Sequence, residues 1–287
     1  MSGCSLLLGV ASLALAGGNV ARGLPGDYSP MRAAAGTENG SVGFLYFVSL
    51  NGTTNKNQLY CTDLNHWSTF PFGEPLDGKE AIGSAAAVDH DSGIYYQLLL
   101  NGIGGDPGSA YTSITAFSTA SGKLTKEFKV DSLLSGSSAL TMVSAFFIVP
   151  SSKGNMLVVA REIVNHKEGA QYVLDLDVGS GIATVRGSFN SSAGMWTWDA
   201  SGETLWGVTY DENAKDPSGT MVAVSTKPGD VSVLGTFNTS NFFMLPEWNQ
   251  KLKAIHGLEL FKGPPGPAYD RRFATVDALS MNFTVQS

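Results

Sequence analysis

Two cysteines and four histidines in 287 residues leave little from which to build a metal centre or a disulfide framework. Cys4 falls in an apolar leader and Cys61 stands alone in LYCTDL, so the mature chain has no structural zinc site and no internal disulfide. The reading for Cys61 is a half-buried strand residue. Charge is also sparse, at 15% of residues, with 25 acidic against 18 basic side chains and a net charge of −7. With Lys and Arg scattered, this balance argues against nucleic acid or an anionic membrane as the main partner, since both need a basic face; a local basic patch stays open. Long hydrophobic runs are missing beyond Cys4–Ala16, and that run is shorter than the roughly 20 residues a helix needs to cross a bilayer. No membrane span is expected. Catalytic and nucleotide signatures are absent too: there is no G-x-S-x-G elbow, P-loop or G-x-G-x-x-G, and His66, His90, His166 and His256 lack catalytic flanks. Outside the leader no apolar pattern keeps a 3.6-residue period for more than two turns, which excludes a helical framework.

What the chain does have is turns. It carries 34 Gly and 12 Pro, and one shape recurs: apolar run, Asp/Pro/Ser-rich turn, apolar run. The clearest copy is Gly194–Tyr210 (GMWTWDASGETLWGVTY), with relatives at Ala85–Leu99, Phe146–Ala160 and Phe242–Ile255. Between these lies a second strand–turn–strand shape, at Ile114–Val130, Leu174–Phe189 and Val222–Phe237. The turn glycines measure the period: Gly93, Gly154 and Gly202 in the first series, Gly122, Gly181 and Gly229 in the second, with offsets of 29, 27 and 27 within pairs. Further strand candidates are Pro30–Ala35, Val42–Leu50, Leu59–Asp63 and Trp67–Phe72 upstream, with Phe242–Leu245, Lys251–Leu258, Phe273–Ala278 and Met281–Val285 downstream.

This predicts an all-β chain of five four-stranded antiparallel units at about 29–75, 80–131, 139–190, 191–238 and 239–287. A four-stranded period of this length points to a five-bladed β-propeller, because radial stacking covers both apolar faces of each sheet. Two alternatives stand beside it: a pair of β-sandwiches, which does not demand the double period, and a propeller with a different blade count, since the first unit is weakly patterned. Asp199–Trp206, Pro150–Val158 and Phe117–Leu124 resemble the hairpins of propeller repeats in cell-surface and periplasmic proteins. That resemblance implies a fold and not an activity. Trp198-Asp199 sits at a turn and not at a strand end, which disfavours a WD-type scaffold. Trp196 and Trp198 alternate with Met195 and Thr197 and are expected on one core-facing sheet face.

The leader ends in Ala14-Leu15-Ala16-Gly17, a small-residue cleavage pattern, so Met1–Ala16 reads as a signal peptide, 17–28 as an N-terminal segment, and the mature protein as secreted. Extracellular sequons are Asn39, Asn51, Asn190 and Asn238 at predicted turns, with Asn282 inside a predicted strand. Asp89-His90-Asp91-Ser92-Gly93 has calcium-loop spacing, as does Asp175-Leu176-Asp177, but neither has a distal acid to complete the ligand set. Asp89 and Asp91 are therefore weak metal candidates, with calcium the ion they would suit.

Loop length carries the remaining signal. Asn51–Gln58, Asn101–Ala110, Glu162–Gln171, Asp211–Gly219 and Gly257–Arg272 read as long polar connections between second and third strands. In a propeller they share a rim with unit-to-unit connections such as Gly73–Ala81 and Asp131–Ser138. The rim residues expected to bind are Glu162, His166, Asp211, Asp216, His256 and Asp270, which supply carboxylates and imidazoles. The function expected is a secreted binding module that holds an extracellular protein, glycan or small molecule. The alternative is a propeller hydrolase of lactonase or glycosidase type, with carboxylates or a metal in a central funnel; no motif supports it.

Overall fold

A computed structural model describes residues 44–63, 66, 68–89, 91–101, 111–130, 143–152, 154–164, 167–191, 193–210, 219–239, 242–249, 252–262, 269–277 and 283–285. The leader 1–16, the segment 17–28 and the candidate strand Pro30–Ala35 lie outside these residues. There is no α-helix among the described residues, and so none long and apolar enough to cross a membrane.

The strands form sequential meanders. The first sheet contains β1 (Phe44–Asn51), β2 (Lys56–Asp63) and β3 (Ser68–Leu76). The second contains β4 (Lys79–Asp89), β5 (Ile94–Asn101), β6 (Tyr111–Ser118) and β7 (Leu124–Lys129). The third contains β8 (Val143–Ser152), β9 (Asn155–Val164), β10 (Lys167–Asp177) and β11 (Ile182–Phe189). The fourth contains β12 (Met195–Asp199), β13 (Thr204–Tyr210), β14 (Gly219–Ser225) and β15 (Val233–Thr239). The fifth contains β16 (Phe242–Asn249), β17 (Ala254–Lys262), β18 (Tyr269–Asp277) and β19 (Phe283–Val285).

Several boundaries differ from expectation. Gly73–Ala81 is not a connection: β3 continues to Leu76, and a two-residue turn at Asp77-Gly78 leads straight into β4. Gly78 takes the left-handed conformation (φ 63°) that makes so tight a turn accessible. Pro71 and Pro75 sit in β3, which is an edge strand among the described residues and so tolerates them. Glu162–Gln171 is also mostly strand, since β9 runs to Val164 and β10 starts at Lys167. In the last sheet only 263–268 separate β17 from β18, where Gly257–Arg272 was expected to be loop.

The hairpin turns explain the glycine periods. Gly93, Gly154, Gly122, Gly181 and Gly229 all have positive φ, between 64° and 79°. Gly202 does not; the left-handed residue in that hairpin is Glu203 (φ 46°), directly before β13. In the fifth sheet Lys253 (φ 51°) has the same place before β17. Gly202 is needed for another reason, because a Cβ there would lie 2.5 Å from Asp199 Oδ2. Asp199 folds over its turn and accepts from the Ser201 amide (3.0 Å) and hydroxyl (2.8 Å).

One backbone brace repeats at these turns. The left-handed residue's carbonyl accepts from the residue that follows the third strand: Thr119 N–H to Gly93 O (2.9 Å), Val178 N–H to Gly154 O (2.9 Å), Thr226 N–H to Glu203 O (2.7 Å). The Thr119 and Thr226 hydroxyls donate to the same carbonyls, each at 2.8 Å. The carbonyl of the same residue then receives a donor from the preceding sheet: Tyr46 Oη to Thr119 O (3.4 Å), Lys126 Nζ to Val178 O (2.5 Å), Arg186 Nη1 to Thr226 O (2.8 Å).

The described chain divides into two compact units, one within 1–169 and 174–184, the other within 170–173 and 185–287. In the first, Tyr46, Val48, Leu59, Cys61 and Leu76 pack against Ala86, Tyr95, Leu99 and Phe117. In the second, Trp206, Val208, Met221 and Ala223 pack against Ile255, Ala274 and Val276. Trp206 stacks on Trp248 with ring centroids 6.4 Å apart and planes 7° from parallel. Trp196 is buried edge-on to Phe189, over Gly207, where a Cβ would lie 2.5 Å from its ring. Trp198 is half-buried, and its Nε1 donates to Thr226 Oγ1 (3.4 Å).

Two glycines of the first unit separate the contributions of conformation and space. Gly154 has nothing within 4 Å of an added Cβ, whereas at Gly122 the Cβ would lie 1.7 Å from Phe72 O. Gly154→Ala should lose about 1–2 kcal/mol, the left-handed penalty alone. Gly122→Ala should lose at least about 1–3 kcal/mol more, from displacing β3 backbone. Urea melts of the two variants check this, and equal losses would show that the β6–β7 turn does not abut β3.

Candidate functional site

The two ends of the sheets differ in what they carry. In the second unit the hairpins of the fourth and fifth sheets lie together, with Lys253 Nζ donating to Ser201 Oγ (2.7 Å) and the Trp248 amide to Thr197 Oγ1 (2.8 Å). The connections 211–218 and 263–268 therefore both leave from the opposite end of that sheet pair. In the first unit Asn57 Nδ2 donates to the Lys79 carbonyl (2.7 Å), and Lys79 pairs with Asn101 in the ladder. This places the β1–β2 turn beside the start of the connection 102–110.

A polar network underlies that end of the first unit. Lys79 Nζ donates to Asn101 Oδ1 and to Glu127 Oε2, the latter at 2.7 Å. Asn101 Nδ2 donates to Ser113 Oγ (2.7 Å), and Ser113 is 3.1 Å from Thr115 Oγ1. Asn101, Ser113 and Thr115 are buried, and a buried polar group is stable only when it is paired. The network thus fixes both β4 and the strand that launches 102–110. Asn51 orders the β1–β2 turn separately: Oδ1 accepts from the Thr53 amide (2.9 Å), and Nδ2 donates to Gln58 Oε1 (2.7 Å).

The second unit has a depression at its loop-bearing end, about 190 Å³ in volume, lined by Asn190, Ser191, Thr209, Thr220, Val222, Val233 and Thr236. Register builds it: Thr209 faces Thr220 and Val222 faces Thr236, all on one face of the fourth sheet. The alternate residues Val208, Met221 and Ala223 fill the core on the other face. Ser191 enters from the segment after β11, which Gln171 Nε2 pins through the Ser191 (2.9 Å) and Ala193 (3.3 Å) carbonyls.

Of the six rim residues, the described residues include Glu162, His256 and Asp270. His166, Asp211 and Asp216 lie outside the described residues. Glu162 belongs to β9, opposite Val143, and Asp270 to β18, opposite Phe261. His256 is misplaced by the loop reading: it is the third residue of β17, opposite Thr275, at the hairpin end. Five ladder positions separate it from the Phe261–Asp270 pair, roughly 17 Å at 3.4 Å per residue. It is half-buried, Nδ1 lies 3.0 Å from Thr275 Oγ1, and desolvation holds its pKa below the usual imidazole range. Gly257, read as the start of a loop, is simply the next strand residue.

The calcium candidates are turn residues. Asp89 Oδ1 accepts from the Asp91 (3.1 Å) and Ser92 (3.3 Å) amides, and Oδ2 from the Ser92 hydroxyl (2.6 Å). Asp91 is exposed. Asp177 caps the next turn through the Ser180 amide (2.9 Å), and that bond first of all holds its carboxyl below the usual range. No group of three His, Cys, Asp or Glu capable of holding a metal occurs among the described residues. Of the sequons, Asn190 is exposed, Asn51 is half-buried, Asn238 belongs to β15, and Asn39 and Asn282 lie outside the described residues.

The chain matches no protein-family model and no curated protein. Among solved structures it is similar to hydrazine synthase of Kuenenia stuttgartiensis, at 13% identity and TM-score 0.53, over 94% of this chain and 68% of that one. It is similar also to a TolB from Agrobacterium tumefaciens, at 10% identity and TM-score 0.51, over 84% of this chain and 76% of that one. TolB from Acinetobacter baumannii aligns at 13% identity and TM-score 0.48, and the match spans 51% of its length. At such identities the likeness shows the fold alone. Together with the four-stranded antiparallel meanders, it makes this a β-propeller protein.

Cys61 gives a direct check on the first core. It is buried, and burial pushes its thiol up to about 12. At pH 8 the native thiol should resist alkylation, since the thiolate is the nucleophile, and should react once urea unfolds the chain. With the folded pKa raised, the stabilisation from keeping this thiol neutral is complete below pH 9 and is lost as pH rises toward 12. Rapid alkylation of the native protein would place Cys61 at the surface.

Proposed function

We propose that this is a secreted binding module, a five-bladed propeller whose loop-bearing end holds an extracellular protein, glycan or small molecule. One observation carries the reading: in each unit the long connections leave from the end opposite the braced hairpins, over strands that a polar network or a pinned segment holds in place. Rigid strands with variable connections at one end are the arrangement on which binding surfaces are built. Blades at about 29–75, 80–131, 139–190, 191–238 and 239–287, with Met1–Ala16 removed on secretion, belong to this proposal. Glu162, His166, Asp211, Asp216 and Asp270 are its contact residues; His256 is left out, because its strand position sets it at the hairpin end.

The test is an Ala series. Replacing these five residues, two of which lie near strand ends in β9 and β18, should leave the thermal midpoint nearly unchanged, within about 0.5 kcal/mol for each residue, as for surface substitutions. Binding to arrayed glycans and secreted proteins, read by surface plasmon resonance, should fall. Binding that survives all five changes and is lost when the turns at Asp199 or Gly229 are altered would put the site at the other end.

A further inference from the structure

We propose that the depression on the fourth sheet seats one uncharged sugar ring. The inference deepens the reading of the loop-bearing end as the binding end, and rests on it. Among the described residues the walls carry four hydroxyls (Ser191, Thr209, Thr220, Thr236) and one amide (Asn190), with no charged side chain. A charged ligand would lose its hydration there without gaining a counter-ion, and a purely apolar one would strip water from hydroxyls it cannot bond. A ligand bearing hydroxyls on a partly apolar ring avoids both costs, with Val222 and Val233 to meet the ring's C–H groups. Size restricts it further. About 190 Å³ is below the roughly 300 Å³ at which pockets for drug-sized ligands begin, so the depression seats one ring of whatever ligand enters it.

The hydroxyls are fixed by the ladder. Thr209 and Thr220 are partners across β13 and β14, and Thr209 Oγ1 is oriented by its bond to the Thr220 carbonyl (3.2 Å). Thr236 stands opposite Val222 on β15. These positions cost no strain, because Thr is a favoured strand residue. On the remaining side Ser191 is held at the end of the segment that Gln171 pins, and its Oγ accepts from the Ala193 amide (3.0 Å).

Such a ring has two sources. One is the terminal sugar of a ligand. The other is this chain itself, because Asn190-Ser191-Ser192 is an N-glycosylation sequon whose exposed asparagine lines the depression. The first sugar of a glycan at Asn190 would start at the mouth of the seat.

The experiment has one arm for each source. Unglycosylated protein from bacteria is titrated with glucose, galactose and N-acetylglucosamine by saturation-transfer NMR. Thr220→Val and Thr236→Val should each weaken the sugar that binds about fivefold, the loss of one hydrogen bond, and Thr220→Ser should restore it. Protein secreted from eukaryotic cells is then mapped at Asn190 and trimmed to its first sugar. If that sugar is the occupant, the trimmed protein melts higher than Asn190→Gln, the gain disappears with Thr236→Val, and free sugar no longer binds. Sugar binding that ignores both valine variants but falls with Asp211→Ala and Asp216→Ala overturns the seat and leaves the binding end standing. Preference for a charged sugar, or the absence of both free-sugar binding and a stabilising Asn190 glycan, overturns the proposal outright.

Discussion

In the second, third and fourth sheets the residue that follows the third strand is the junction on which the described architecture depends. Its amide closes the first hairpin of its own sheet, as Thr119, Val178 and Thr226 do toward Gly93, Gly154 and Glu203. Its carbonyl receives Tyr46, Lys126 or Arg186 from the sheet before. One peptide unit therefore ties two hairpins together and anchors a neighbour. Each bond has a modest net value of about 1 kcal/mol. Its effect comes from geometry, because the amide and carbonyl of one residue point in fixed directions relative to each other. The sheets can twist and vary in sequence while the offset between their hairpin ends stays the same.

That constraint leaves the opposite end free to differ. The connections 102–110, 165–166, 211–218 and 263–268 vary in length without disturbing the ladder, since register is already set by the turns and by the buried faces. Where the loop-bearing end does need fixing, the chain uses side chains in place of backbone. Lys79, Asn101, Glu127 and Ser113 hold β4 to β7 around one buried cluster, and Gln171 pins the entry to the fourth sheet. Such clusters are costly if any member is left unpaired, so they specify a single arrangement more than they add stability.

The strand content and the glycine-bearing turns were legible in the sequence, because a left-handed position admits few residues other than glycine. Two positions depart from that reading. In DASGE the glycine was counted as the turn residue of its series, but Glu203 takes the left-handed conformation and Gly202 makes room for the Asp199 carboxylate. Counting from the Asx residue that ends the first strand gives the correct place: Asp89 to Gly93, Asp199 to Glu203, Asn249 to Lys253, four residues each. His256 was named with the rim residues because the strand candidate Lys251–Leu258 overlapped the expected loop Gly257–Arg272, whereas the left-handed turn residue is Lys253 and β17 runs on to Lys262. The hydroxyl-lined depression was not legible. Its threonines belong to three different strands, and only the ladder register shows that they share a face.

The prolines of β3 bear on how the protein behaves in a crowded solution. An edge strand with a complete row of free amides is a template on which other chains can add strands, the first step toward fibrils. Pro71 and Pro75 each lack an amide hydrogen, so β3 carries two non-donors within five residues. A strand arriving at this edge would meet both in quick succession. Proline here guards against misassembly, at the margin of a sheet whose interior could not have accepted it.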